Sequence, residues 1–254
     1  MRRRCLLGLL VTLGVPLAAN AAAPVVGADL EAWGQVLQRF RHGDGLDYAA
    51  LAAERQDLDA FLAGLDPARP AGWSAAEQKA FWINAYNAVT VRHVLERHPG
   101  LRSVRDVDGF FDELRFPVAG ERLTLDEIEG RARALGDARV HFAVVCASRS
   151  CPTLRPEPYR GDAVEDQLAE DTRRFLADRA KGLRFDRAEN VLWLSSIFKW
   201  YAGDFTGGST IVAFFARGGV VEWILPHLPP DLAAEIRRAE PSVRYIDYDW
   251  ALNE

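Results

Sequence analysis

Ser74-Ala-Ala-Glu-Gln-Lys-Ala-Phe-Trp-Ile-Asn-Ala-Tyr-Asn-Ala-Val-Thr-Val-Arg-His-Val-Leu-Glu-Arg97 is the stretch that decides the fold. Ser74 and Glu77 have capping-box spacing, in which each side chain satisfies the other's free backbone N–H. Pro99-Gly100 closes the segment. At helical spacing Phe81, Ala85, Ala88, Val91 and Leu95 form one face, and Trp82, Tyr86 and Val89 form the opposite one. A helix that is apolar on both sides is buried. The reading is therefore a long central helix running to about Arg97, with Asn84 and Asn87 inside the protein and in need of hydrogen-bond partners.

Upstream, Leu30, Trp33, Val36, Leu37 and Phe40 recur at helical spacing and stop at Gly43 and Gly45. A second helical stretch from Asp47 carries Leu51, Leu58, Phe61, Leu62 and Leu65. Downstream, Leu114-Arg-Phe-Pro-Val118 and Arg122-Leu-Thr124 read as a hairpin, with Pro117 confining the first arm to an edge. Thr124 and Glu127 repeat the capping box ahead of a short helix. Val140 to Cys146 reads as a short apolar strand, and Asp162 as the cap of a helix carrying Val164, Leu168, Phe175 and Leu176. Leu183-Arg-Phe185 and Val191-Leu-Trp-Leu194 read as a second hairpin, followed by short helices and a last strand from Val243 to Tyr248. Helices dominate over a small antiparallel or mixed sheet, so the fold class expected is α+β, a mostly helical single domain.

The first 21 residues have the three parts of a cleavable secretory signal peptide. These are Arg2 to Arg4, the apolar run Cys5 to Ala18, and the small-x-small motif Ala19-Asn20-Ala21. The run is short for a bilayer, which takes about 20 apolar residues. Arg3-Arg4 also gives a loose match to a twin-arginine signal, leaving the export route open. The expectation is a periplasmic or secreted protein with one globular domain over residues 24–254 and no transmembrane segment after the leader. Loss of three arginines and no acid takes the formal charge from −5 to −8. That acidity argues against nucleic acid and anionic lipid as partners.

Only Cys146 and Cys151 remain beyond the leader. They lie in His141-Phe-Ala-Val-Val-Cys146-Ala-Ser-Arg-Ser-Cys151-Pro152, a polar turn of the kind where functional groups collect. A thiol near arginines or turn N–H groups can be acidic enough to act as a nucleophile, with His141 as base. On an ideal strand His141 and Cys146 point to opposite faces, whereas Cys151 is free to fold back. The competing reading is a Cys146–Cys151 disulfide that stiffens the turn in an oxidising compartment. Asn84 and Asn87 either tie loops to the core or supply the third member of a Cys-His-Asn arrangement. Arg149 would favour a thiolate or an anionic substrate. Lys199, within Ser195-Ser-Ile-Phe-Lys199-Trp-Tyr201, either packs its stem on rings or lines a pocket as a cation. Ser195 or Ser196 is the cap expected for the helix there. No nucleotide-loop, nucleophile-elbow or zinc-protease motif occurs, and no cofactor or metal is expected.

Lys79-Ala-Phe-Trp-Ile-Asn-Ala-Tyr-Asn87, His141 to Pro152, Leu194-Ser-Ser-Ile-Phe-Lys-Trp-Tyr201 and Tyr248-Asp-Trp-Ala-Leu-Asn253 together resemble the domain of unknown function family 547. Leu125-x-x-Ile128-Glu129 fits the same pattern, and the resemblance runs from about residue 45 to 253. It gives weight to Asn84, Asn87, His141, Cys146 and Cys151 as a set without assigning roles. Two functions are expected from these residues. One is a thiol-dependent hydrolase or acyl-transferase with Cys151 or Cys146 as nucleophile. The other is a non-catalytic envelope binding domain built on the disulfide. The substrate, the envelope partner and the oligomeric state are left open.

Overall fold

Helices α1 (Leu30–Phe40), α2 (Tyr48–Ala53) and α3 (Gln56–Ala63) lead into the long helix α4 (Ala75–Leu95). The Ser74–Glu77 capping box forms as expected, and so does the Thr124–Glu127 box that opens α5 (Leu125–Arg133). Each such cap stabilises its helix by about 1 kcal/mol. Nearly every side chain of α4 from Lys79 to Leu95 is buried, because α2, α3, α5 and α6 (Val164–Ala177) pack around it. The computed structural model describes residues 29–207 and 216–254. The leader expected over residues 1–21 lies outside them.

Buried polar groups on α4 hold neighbouring loops by their backbones. Asn84 Nδ2 donates to Tyr159 O at 2.7 Å, and its Oδ1 accepts from Tyr159 N at 3.0 Å. Asn87 Nδ2 donates to Ala143 O at 3.0 Å while its Oδ1 accepts from Val145 N at 2.8 Å. This second pair explains a departure from the sequence reading. Residues 140–146 are not a strand. Asp137 accepts from Arg139 N and starts a 3-10 turn over Ala138–Phe142, and the chain then runs irregularly to Cys151. The Asn87 amide occupies backbone groups that a neighbouring strand would otherwise have to meet.

Short hairpins join β1 (Arg41–His42) to β2 (Gly45–Leu46) and β3 (Phe116–Val118) to β4 (Glu121–Leu123). The larger sheet is mixed. Strand β5 (Leu183–Asp186) pairs antiparallel with β6 (Val191–Ser195), which pairs parallel with β7 (Ser242–Ile246). A parallel pair needs a long crossover. Here it contains α7 (Ile197–Trp200), α8 (Ala202–Phe205), α9 (Ala216–Ile224) and α10 (Pro230–Ala239). A second apolar cluster, with Phe142, Phe175, Leu194, Phe198 and Val243, fills the space between the sheet, α6 and this crossover. The molecule is thus a mostly helical α+β single domain, and no helix among the described residues is long and apolar enough to cross a membrane.

One expected cap is displaced, and the other is shared between two serines. Ala163 occupies the cap position of α6, and Asp162 pairs instead with Arg160 at 3.1 Å. Ser196 precedes α7 but its hydroxyl donates to Ile246 O, while Ser195 Oγ accepts from Ile197 N.

Candidate functional site

Parallel strands β6 and β7 end side by side, and the residues that follow each of them meet in one place. Ile197, Trp200 and Tyr201 come from the end of β6; Tyr248 and Trp250 come from the end of β7. Clefts at the carboxyl ends of parallel strands are common binding sites, because loops of independent origin converge there. The cavity has a volume of about 330 Å³. Its other walls are Tyr86 of α4, Phe111 and Asp112, Asp126 and Glu129 of α5, and the stretch from His141 through Val144 and Cys146 to Cys151-Pro152.

Cys146 and Cys151 are joined in a disulfide with Cα atoms 6.2 Å apart. Cys151 Sγ accepts from Cys146 N at 2.9 Å, and the Tyr248 hydroxyl lies 3.3 Å from both sulfurs. Burial pushes the Tyr248 hydroxyl up to about 12, so it stays protonated. Ala147, between the cysteines, has φ +62°, a left-handed conformation that disfavours a side chain by about 1–2 kcal/mol. The chain end holds this loop in place. Arg149 N donates to Ala251 O, Ser150 N to Asp249 O and Asn253 N to Ala147 O, while Tyr48 donates to Asn253 Oδ1. Asn253 reaches Tyr48 only because Gly45 has no side chain, as a Cβ there would collide with its backbone and amide.

His141 sits between the rings of Tyr201 and Phe205, with centroids 4.1 and 5.4 Å away. Its Nε2 lies 2.8 Å from Asp204 Oδ2. Partial burial opposes ionisation of Asp204, but hydrogen bonds from Arg133 and His141 hold its carboxyl below the usual range. Burial dominates at the imidazole and lowers it to about 4, outweighing Asp204. A neutral ring beside a carboxylate must donate through Nε2, which leaves Nδ1 as the basic nitrogen. Asp204, not Asn84 or Asn87, therefore orients His141, since both amides are already committed to backbone groups. Lys199 is exposed, 6.0 Å from the Tyr245 ring centroid, and Arg149 is exposed as well. Neither belongs to the cavity wall.

The three cavity carboxylates were not among the candidates drawn from the sequence. Glu129 carried a signal: Leu125, Ile128, Glu129 and Ala132 share one helical stripe, and an acid in an apolar stripe is either paired or functional. Glu129 is 7% exposed, and its Oε1 has no hydrogen-bond partner. Burial raises its carboxyl; the facing Tyr201 hydroxyl and Arg133 pull it down, and Asp126 and Asp204 push it up. Asp126, at the exposed rim, is raised by desolvation and then by Asp112.

Residues 70–176 match the model of a family described as Protein of unknown function, DUF547. That span is similar to DUF547 and makes up less than half of the chain. That match takes in α4, α5, His141, Cys146 and Cys151, but Asp204 and the aromatic residues after β6 and β7 lie past its end. The matched segment thus supplies the carboxylate and disulfide walls, and the sheet beyond it supplies most of the aromatic wall. No curated protein and no solved structure matches the chain.

Proposed function

We propose that this chain is an exported, periplasmic or secreted domain that binds a small ligand in the cavity beside Cys146 and Cys151, with the disulfide holding the recognition loop. The observation that carries the reading is that the two sulfurs are bonded to each other at the cavity wall. In that state neither is a thiolate, and the thiolate is the form that attacks. An apolar, aromatic lining with a few convergent polar groups is the usual character of a small-molecule site. An oxidising compartment sustains such a bond, and the leader-like residues 1–21 supply the route to one.

A second reading, the thiol-dependent hydrolase or acyl-transferase, is favoured by one observation: His141, held by Asp204, shares the cavity with both cysteines. Once the disulfide is reduced, a thiol there would have a neutral imidazole as candidate base and Asp204 as its orienting group.

Labelling with an alkyne-bearing iodoacetamide, with and without prior reduction, separates the two. The binding reading expects no labelling of the native protein and, after reduction, only slow labelling that His141→Gln does not change. Fast labelling at neutral pH that Cys151→Ser or Cys146→Ser abolishes and His141→Gln slows would replace it with the hydrolase reading.

A further inference from the structure

Every charged group in the cavity wall among the described residues is an acid: Asp112, Asp126 and Glu129. Neither lysine nor arginine lines it: Arg133 is held by Asp204 through contacts of 2.7 and 3.1 Å, and Arg105, also outside the lining, sits 5.4 Å from the Trp250 ring centroid. Glu129 is buried with one oxygen unpartnered, an arrangement that costs about 1–3 kcal/mol when nothing fills it. The same cavity is lined by a cluster of aromatic rings. Trp200 stacks on Trp250 with centroids 5.7 Å apart, and Tyr248 lies 4.9 and 4.6 Å from those two rings. Trp200 is 48% exposed, the one large exposed hydrophobic side chain among the described residues. Ring faces are electron-rich and attract weakly hydrated organic cations, most strongly where water is excluded. No group of acids, histidines or cysteines among the described residues is placed to hold a metal ion.

We infer that the ligand of this cavity carries an organic ammonium group, seated against the Trp200–Trp250–Tyr248 faces with Glu129 as its charge partner. This rests on the reading of the cavity as a binding site and adds the chemical class of what it binds. The cation completes the hydrogen-bonding and charge complement that Glu129 lacks. Binding also changes the protonation of Glu129. The charged groups facing it are Arg133, Asp126 and Asp204, with the hydroxyls of Tyr86, Tyr201 and Tyr248 around it. In the free protein burial favours the protonated acid, and a bound cation favours the carboxylate. Affinity therefore rises as pH rises through the carboxyl's free-state titration and levels off above it, with a proton released on binding below that point.

The test compares choline with 3,3-dimethylbutan-1-ol, which has the same shape without the charge, by calorimetry in two buffers of different ionisation enthalpy. The expected result is at least about tenfold tighter binding of choline, with proton release. Glu129→Gln is expected to bring the two affinities close together, and Trp200→Ala to weaken choline. Equal binding of both compounds to the wild-type protein, or an unchanged choline preference in Glu129→Gln, overturns the inference; the first needs no variant to fold. If the alcohol alone binds, the cavity stands as a binding site and the cationic class falls. If neither binds at millimolar concentration, the inference falls together with the binding-site reading.

Discussion

His141 Nε2 lies 2.8 Å from Asp204 Oδ2, a bond that ties the turn before the cysteine loop to helix α8. Because burial wins over the carboxylate and lowers the imidazole to about 4, the folded protein keeps this ring neutral where the unfolded chain, at about 6.5, takes up a proton. The unfolded state then binds more protons between those values, so stability falls as pH drops from about 6.5 to about 4.

His141→Gln is expected to flatten that part of the stability–pH curve by about 3 kcal/mol relative to wild type. Urea unfolding at pH 7 and pH 4.5 for both proteins gives the difference directly. Parallel curves would mean that His141 takes up its proton at the same pH in the folded and unfolded states.

The Cys146–Cys151 bond closes a short loop, so its entropic contribution is modest, about 2 kcal/mol. The Cys146→Ser/Cys151→Ser double variant should lose about 4–8 °C in Tm, read by scanning calorimetry. It should also bind the cavity probes more weakly, because the loop carries part of the wall. Weaker probe binding with an unchanged Tm would mean that the bond shapes the wall without stabilising the fold.

Asn84 and Asn87 each satisfy a backbone N–H and a carbonyl in the core. Replacing either with Leu leaves two buried groups unpaired and should cost about 2–4 kcal/mol. For Asn87→Leu the loss should be accompanied by faster amide exchange at Val145, measured by hydrogen exchange. A loss of activity or binding with no change in stability would instead place the asparagine in the site chemistry.

Lys79 is buried on α4 and bridges to Asp137 and Glu165. Burial opposes the Asp137 charge, yet Arg139 and Lys79 win and hold the carboxyl at about 2. A depressed carboxylate contributes stability that is present above its unfolded value near 3.8 and lost as pH falls toward about 2. Lys79→Met should cost about 2 kcal/mol at pH 7, because it leaves the half-buried Asp137 with one partner fewer. That cost should shrink in acid as Asp137 protonates, and denaturant unfolding from pH 7 down to pH 2.5 measures it.

Much of the fold was legible because its signals are local. The two capping boxes, the two hairpins and the all-round apolar face of α4 each lie within one stretch of chain. The strand expected over residues 140–146 failed because its apolar residues are covered by α4 and its backbone is met by a side chain, Asn87, from 56 to 58 residues away. Local periodicity carries no trace of that. At the candidate site, His141, Cys146 and Cys151 were legible from their chemistry, and the structure places them on one cavity. Asp204 was not, because its pairing with His141 spans 63 residues. Glu129 stood in view within the α5 stripe, but its meaning depends on the aromatic rings that β6 and β7 deliver to the same cavity.

The proposed binding site is walled by a disulfide and not by a free catalytic thiol. Its most direct test is peptide mapping of the native, unreduced protein after iodoacetamide treatment at neutral pH. The account predicts that the tryptic peptides containing Cys146 and Cys151 are recovered linked and without adduct. Rapid carbamidomethylation of either cysteine without reductant would contradict it.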